Sequence, residues 1–343
     1  MPHTITLHPS GHSYACPEPA TVLKAGLDAG LFMPYSCRSG VCRTCRGRVV
    51  EGAVDFGDVH PKYLSEADKA AGYALLCCAR PLGNVTIEVK EIDAGSAIRS
   101  KFMPARVLKL ERAAPDVMVA TIGLPMNEPM IFRAGQYIEF VLPDGTRRSY
   151  SMANAPSNDG VRQIELHIRH VPGGQFSDYV FNRMRVRDVL RLEMPLGSFF
   201  LREDSERPIV LLASGTGFAP IQSLVRHSLA RGITRPITLY WGGRRREDLY
   251  RHEQVQHWVA EHRHIRYVPV LSEPTPECEW SGRTGFVHHA VMQDFPDMSG
   301  LAVYGCGAPI VVESARRDFI QECRLPEDEF YADSFLTAAD KNA

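Results

Sequence analysis

Three cysteines, Cys37, Cys42 and Cys45 in the string CRSGVCRTC, constrain this chain more than any other feature. Their spacing is C-x4-C-x2-C, and a fourth candidate, Cys77 or Cys78, follows an apolar run. This is the plant-type ligand pattern of a [2Fe-2S] cluster, whose irons need four thiolates, three from a tight loop and one from a distant return. Structural zinc usually shows two close ligand pairs. Only one C-x2-C stands here, so the pattern favours iron–sulfur over zinc.

The remaining cysteines, Cys16, Cys278, Cys306 and Cys323, stand apart and make the count an odd nine. A secreted disulfide framework fits poorly, because the start MPHTITLHPSG has no basic segment before an apolar one and predicts no signal peptide. No apolar run approaches the roughly 18 residues of a membrane span. A net charge of -1 gives no global field for nucleic acid or a membrane surface. A cytoplasmic monomer that binds neither is expected.

The 343 residues suffice for two or three domains. Residues 3–16 read as a hairpin turning at Pro9-Ser10-Gly11, and Thr21 is placed to cap a helix over 22–29 that stops at Gly30. Strands are expected near 46–51 and at Val85, Ile87 and Val89. The small, polar segment 91–100 reads as a linker. From about 102 to 200, FMPARVLKL, MVATIGL, QYIEFVL, RRSYSMA and IELHIRH are short β-like runs whose spacing predicts an antiparallel barrel or sandwich. One helix is expected near 176–184. After 207 the apolar runs PIVLLA, ITLYWG, IRYVPVL and LAVYGC alternate with helix-length segments, the pattern of a parallel sheet covered by helices. The expected domains are 1–93, 101–204 and 205–336.

Two of these regions carry phosphate-binding signals. LLASGTGFAP places Gly215, Thr216 and Gly217 between a strand and a helix, where backbone N–H groups can meet a pyrophosphate. Pro220 replaces the third glycine of the full dinucleotide fingerprint, and a tight structural turn is the competing reading. RRSYS puts Arg148 and Tyr150 on one face of a strand, an arginine fork for a diphosphate and a ring for a flat cofactor. The competing reading there is a solvated edge strand. Gly173, Gly174 and Ser177 offer a second turn-to-helix anion site, with Ser177 as the expected cap.

Together these motifs resemble the ferredoxin–NAD(P)H reductase superfamily, in its form with an N-terminal plant-type ferredoxin domain. The resemblance spans nearly all of 1–336. HPSG, YSC-x4-C-x2-C, LLCCA-x-P, RRSYS-x-ANAP, GTGFAP, GFVH and the closing DSF are most similar to the CDP-6-deoxy-hexulose dehydrase reductases of deoxysugar synthesis. The reductase components of Rieske dioxygenases and multicomponent monooxygenases are close relatives. The resemblance implies a β-grasp ferredoxin domain, an antiparallel β-barrel FAD domain and a parallel-sheet α/β nucleotide domain, with FAD, a [2Fe-2S] cluster and NADH (NADPH as the alternative) as cofactors.

It also implies roles. Cys37, Cys42, Cys45 and Cys77 would be the metal ligands, with Cys78 a small buried side chain. Arg148, Ser149, Tyr150 and Ser151 would hold FAD, helped by Gly173, Gly174 and Ser177. Gly215, Thr216, Gly217 and Arg244 would hold the nicotinamide nucleotide. Ser151, Cys306, Asp333 and Phe335 would surround hydride transfer. Electrons would run from NADH through FAD to the cluster, then to a pyridoxamine-phosphate-dependent sugar dehydrase or an oxygenase component. Flavin is the needed intermediary, since a nicotinamide gives two electrons and the cluster takes one.

Several readings stay open. Asp248 after Arg244-Arg245-Arg246 favours NADH if it binds the ribose, whereas those arginines could equally hold a 2′-phosphate. Arg38, Arg43, Arg46 and Arg48 make the cluster loop basic, either to dock an acidic partner and tune the cluster or as a solvated surface. His288 and His289 fall in a segment for which no catalytic role is expected. A non-enzymatic redox sensor or carrier is a reading of another class, opposed by the retained Arg148, Tyr150, Ser151, Gly215, Gly217 and Cys306.

Overall fold

A computed structural model of the chain describes residues 2–92 and 98–335, so residues 93–97 of the expected linker lie outside the described residues. Two compact units result, one up to Arg99 and one over Ser100–Phe335.

The first unit contains β1 (His3–His8), β2 (Ser13–Cys16), α1 (Val22–Asp28), β3 (Arg46–Glu51), β4 (Val54–Asp55), α2 (Glu66–Ala70), β5 (Tyr73–Leu75), β6 (Arg80–Pro81) and β7 (Val85–Glu88). Its main sheet runs β2-β1-β7-β3-β5, with β1 and β7 parallel and the other pairs antiparallel. Alternation in β1 sends Ile5 and Leu7 into the core beside Val22, Leu23 and Ile87 of α1 and β7. Thr21 caps α1 by accepting from the Lys24 N–H at 3.3 Å. Gly30 ends the turn at φ +84, a left-handed value that glycine adopts without strain. Between α1 and β3 the chain has no regular element, and this gap holds the cysteine loop.

The second unit begins with six strands: β8 (Lys101–Ala114), β9 (Val117–Gly123), β10 (Tyr137–Val141), β11 (Arg147–Ser151), β12 (Gln163–Arg169) and β13 (Val189–Leu196), plus α3 (Gln175–Asn182). They pair antiparallel in the order β11-β10-β13-β8-β9-β12, and a Met152–Leu166 bridge joins the two ends into a barrel. The central strand β13 is the one that the run of apolar segments did not signal. Charged Arg191 and Glu193 interrupt it, and mainly its second half is buried.

The parallel sheet follows, from β14 (Ile209–Ser214), α4 (Phe218–Ala230), β15 (Ile237–Gly243), α5 (His252–Glu261), β16 (Ile265–Leu271), β17 (Arg283–Thr284), α6 (Val287–Asp294), β18 (Ala302–Gly307), α7 (Pro309–Glu322) and β19 (Phe330–Ser334). Its order is β17-β16-β15-β14-β18-β19. In β14, Ile209, Leu211 and Ala213 enter one core while Val210 and Leu212 enter the core on the other face. Burial on both faces is why this strand reads as an unbroken apolar run. Each such Leu, Ile or Val contributes about 1.5–3 kcal/mol. Strand order reverses between β14 and β18, and in open α/β sheets the crevice beyond such a switch point is where ligands bind.

Candidate functional site

In the first unit the loop between α1 and β3 meets the turn after β5 and brings the expected thiols together. The Cys37 thiol lies in hydrogen-bond reach of Cys42, and the Cys77 thiol in reach of Cys45. The N–H groups of Ser39 and Cys42 both point at the Cys37 sulfur, at 3.4 Å each. Amides so aimed favour a thiolate. Thiols gathered in one place, with amides turned toward sulfur, suit a two-iron cluster in this loop. Cys78 is part-exposed rather than buried; its sulfur lies 3.6 Å from that of Cys77 and faces Gly40, where a Cβ would come within 2.9 Å of it.

Much of the basic charge around the loop is matched locally. Asp68 takes Arg43 at 3.5 Å and Arg46 at 3.1 Å, and the Arg46 guanidinium covers the Tyr73 ring at 3.5 Å. Arg48 approaches Glu88 at 3.9 Å. Burial resists the charge on Asp68, but Ser65 and the two arginines outweigh it and lower the carboxyl. Arg43 itself holds φ +59, a conformation that usually selects glycine. Its ion pair with Asp68 ties it down there.

In the second unit, β11 presents RRSYS as expected, with Arg148 and Tyr150 on one face and Ser149 on the other, 3.2 Å from Glu139. Tyr150 packs on Phe140 and Phe176, at 6.0 and 5.5 Å between centroids. The strand lies at one end of the sheet order, yet the Met152 bridge just past it ties it into the barrel. Helix α3 starts at Gln175 with Gly174 as its cap, so Ser177 is the third helical residue and not the cap. Its hydroxyl instead bonds the Val171 and Gly174 carbonyls at 2.9 and 3.2 Å, closing the turn that Gly173 makes at φ +77.

The turn Gly215-Thr216-Gly217 leaves β14 at the switch point. A Cβ on Gly217 would collide with the backbone of Cys306 and Gly307, so only glycine lets the turn lie against the end of β18. Trp241 donates from its indole to the Gly215 carbonyl at 3.1 Å and stacks on Phe218 at 3.9 Å. Cys306 is fully buried, and burial with the neighbouring Asp333 pushes its thiol well up. Asp333 lies beside Cys306 in the β18–β19 register and accepts a hydrogen bond from Ser151 at 3.1 Å. Phe335 follows, its N–H bonded to the Gly307 carbonyl at 2.8 Å. Ser151, Cys306, Asp333 and Phe335, spread over residues 151–335, thus meet where the barrel faces the parallel sheet.

Asp248 departs from expectation. It is buried, and its oxygens accept from the Arg244 and Arg245 N–H groups at 2.8 and 3.2 Å and from Arg169 at 3.0 Å. A carboxylate so occupied shapes the Arg244 loop and has nothing left to offer a ribose. Arg244 remains exposed above it.

Residues that motif reading missed surround this centre: Glu165, His167 and Arg169 on β12, with Gln222, Tyr250 and Trp241 opposite. For the three on β12 the signal was present in ELHIR, where polar groups at every second position of a strand face one surface. Separately, His288, His289 and Asp318 bring ligand-type atoms within 4.8 Å of one another, but Asp318 already holds the Arg317 guanidinium at 2.7 Å.

A barrel and a switch-point sheet that converge on a serine, an acid and a thiol define a flavin-dependent pyridine-nucleotide oxidoreductase, here joined to a cysteine-loop electron carrier. Family models agree along the chain: a 2Fe-2S iron-sulfur cluster binding domain over residues 5–82, an oxidoreductase FAD-binding domain over 104–201 and an oxidoreductase NAD-binding domain over 211–317. The chain is 38% identical over 336 residues to the CDP-6-deoxy-L-threo-D-glycero-4-hexulose-3-dehydrase reductase of Yersinia pseudotuberculosis, covering 98% of this chain and 99% of that one. It is 35% identical to the phenol 2-monooxygenase reductase component DmpP of Pseudomonas sp. strain CF600, covering 99% and 96%. Among solved structures, the Amycolatopsis cytochrome P450 reductase GcoB matches at 34% identity and a TM-score of 0.78, covering 98% of this chain and 99% of that chain. This chain belongs to the family of NADH-dependent iron–sulfur flavoprotein reductases, which work with FAD and a [2Fe-2S] cluster and serve an electron-accepting protein. No helix among the described residues is long and apolar enough to cross a membrane.

Proposed function

We propose that the electron acceptor is a pyridoxamine-phosphate-dependent dehydrase that removes a hydroxyl from a nucleotide-linked sugar. The observation that carries this is end-to-end similarity to the Yersinia hexulose dehydrase reductase. An oxygenase component is the second reading, favoured by the match to the phenol monooxygenase reductase. The working form is a cytoplasmic monomer with domains 1–93, 101–204 and 205–336. No disulfide joins the nine cysteines, all of them among the described residues, and this supports a reducing compartment.

Cys37, Cys42, Cys45 and Cys77 hold the cluster, and Cys78 does not. Arg148 would bind the FAD diphosphate and Tyr150 would meet the ring, with Ser149, Gly173, Gly174 and Ser177 completing that site. Gly215, Thr216, Gly217 and Arg244 hold the nucleotide. When bound, FAD supplies the conversion of one hydride into two single-electron transfers. The chain's own part is positioning. Ser151 keeps its proton on Oγ, directed at Asp333, and would lie beside the reacting edge of the ring. Cys306, neutral in its buried setting, packs there as a compact apolar group. Phe335 would cover the ring face where the nicotinamide is to bind.

Purified protein should oxidise NADH with a small dye acceptor, and also with the dehydrase and its nucleotide sugar. Rapid dye reduction without transfer to the dehydrase, but with transfer to an oxygenase, would move the assignment to the second reading. No NADH oxidation by the FAD-loaded protein would leave only a redox carrier.

A further inference from the structure

A buried polar network joins the strand that ends in Ser151 to the helix that starts at the GTG turn. Helix α4 begins at Phe218, directly after Gly217, and its Gln222 is fully buried. The Gln222 amide donates to the Ala153 carbonyl at 3.1 Å and to the Glu165 carboxylate at 2.6 Å, and its oxygen accepts from Gln254 at 3.1 Å. Next to it, Ser223 donates to the Asn154 carbonyl at 2.7 Å. Ala153 and Asn154 lie two and three residues beyond Ser151. Both are also stitched to β12, through the Ala153 N–H to the Glu165 carbonyl at 2.8 Å and the Glu165 N–H to Asn154 at 3.0 Å.

Glu165 is in turn held by a second layer. His167 lies 3.0 Å from it through Nε2 and 2.8 Å from the Tyr250 hydroxyl through Nδ1. A carboxylate can only accept, so Nε2 carries the proton and Nδ1 accepts from Tyr250. Arg226 of α4 adds an ion pair to Glu165 at 3.3 Å. Every polar atom of the Gln222 side chain is therefore satisfied, and each bond but one crosses between the barrel and the parallel-sheet half. Satisfied buried networks rigidify what they join. Gln222 stands five residues, less than two helical turns, after Gly217, so a shift at Gln222 moves the GTG turn with it.

We infer that Gln222, oriented by Glu165 and His167, is a positioning residue for hydride transfer, setting the nucleotide turn against the flavin strand. Binding of either cofactor does not need this bond; alignment of the two does. Misplacement of reacting partners by about 1 Å costs up to about 100-fold in rate. The inference rests on the proposed placement of FAD at Arg148–Ser151 and of the nucleotide at the GTG turn.

The test uses the full-length, FAD- and cluster-loaded protein with Gln222→Met, of similar length but without the amide, under rapid anaerobic mixing with NADH. Flavin reduction is expected to slow about 10-fold. FAD content and the NADH concentration for half-saturation should stay within about 2-fold, and the long-wavelength nicotinamide–flavin charge-transfer absorbance should weaken. That absorbance reports ring proximity and would not respond to a purely structural loss. Tyr250→Phe, which removes only the hydroxyl behind His167, should act in the same direction by a smaller factor, and it serves if Gln222→Met does not fold. Wild-type reduction rate and absorbance in a folded variant would overturn the inference. If wild-type protein itself shows no NADH-driven flavin reduction, the site assignment fails rather than the positioning role.

Discussion

The two units build their sites by opposite routes. In the first, the candidate donors lie within residues 37–77, three of them in one irregular stretch where backbone amides face Cys37 and Asp68 braces Arg43 and Arg46. In the second, the contacts that matter join distant segments: Ser151 to Asp333 across 182 positions, and Gln222 to Ala153 across 69. A one-electron carrier needs only four sulfurs in place. Hydride transfer between two bound molecules needs two scaffolds held in register, and only long-range packing supplies that.

The difference predicts separable failures. The largest effect belongs to Cys77→Ser, which should abolish the cluster's visible absorbance and reduced-state paramagnetic signal while NADH-driven dye reduction persists. Cys78→Ser should leave the cluster in place. If Cys77→Ser also stops dye reduction, the two sites are not independent. If Cys78→Ser removes the cluster, the ligand assignment is wrong.

Gly217→Ala should act in reverse. The added Cβ collides with the Cys306 and Gly307 backbone, an overpacking that costs about 1–3 kcal/mol. It should lower NADH-driven flavin reduction at least about 10-fold and leave the cluster spectrum unchanged. Gly83→Ala, where a Cβ meets nothing, is the matched control. Equal activity in the two variants would show that the turn tolerates displacement.

The smallest effect is acid sensitivity of the second unit. Burial opposes the charge on Glu165, yet His167, Arg226 and Gln222 hold its carboxyl down to about 2 against an ordinary 4.5. Its contribution is full above the ordinary value and disappears as pH falls toward the folded one, up to about 3 kcal/mol. His167 is lowered by burial, with Arg251 and Arg226 also facing it and Glu165 opposing, so its protonation in acid weakens the fold in the same direction. Glu165→Gln should flatten the loss of stability between about pH 5 and about pH 3, measured by urea unfolding with flavin release as the signal. An unchanged acid limb would remove Glu165 from this role.

Much of this was legible without coordinates. The hairpin, the Thr21 cap, the linked β-runs and the switch to a parallel sheet all follow from local periodicity and capping chemistry. Local rules failed where burial is decided at a distance. Strand β13 is hidden by Arg191 and Glu193, and the Glu193 charge is answered by Arg147 of β11, two places away in the sheet. Ser177 moved from cap to turn closure because α3 starts two residues before it. Asp248 looked like a ribose acceptor, but the loop folded its carboxylate inward onto Arg169.

By itself the sequence determined the chemistry available: four thiols at ligand spacing, an arginine and a tyrosine on one strand face, and glycines where a backbone must come close. Those depend on neighbours a few residues apart, and short-range geometry is written directly into spacing. Only the tertiary structure decided which of those groups meet. It gathered five clustered cysteines, with the Cys77 and Cys78 sulfurs 3.6 Å apart, brought Ser151 to Asp333 and Cys306, and locked Gln222 onto Ala153. Those outcomes depend on packing across whole sheets, where the cost of burying an unpaired polar group selects partners that no local pattern names.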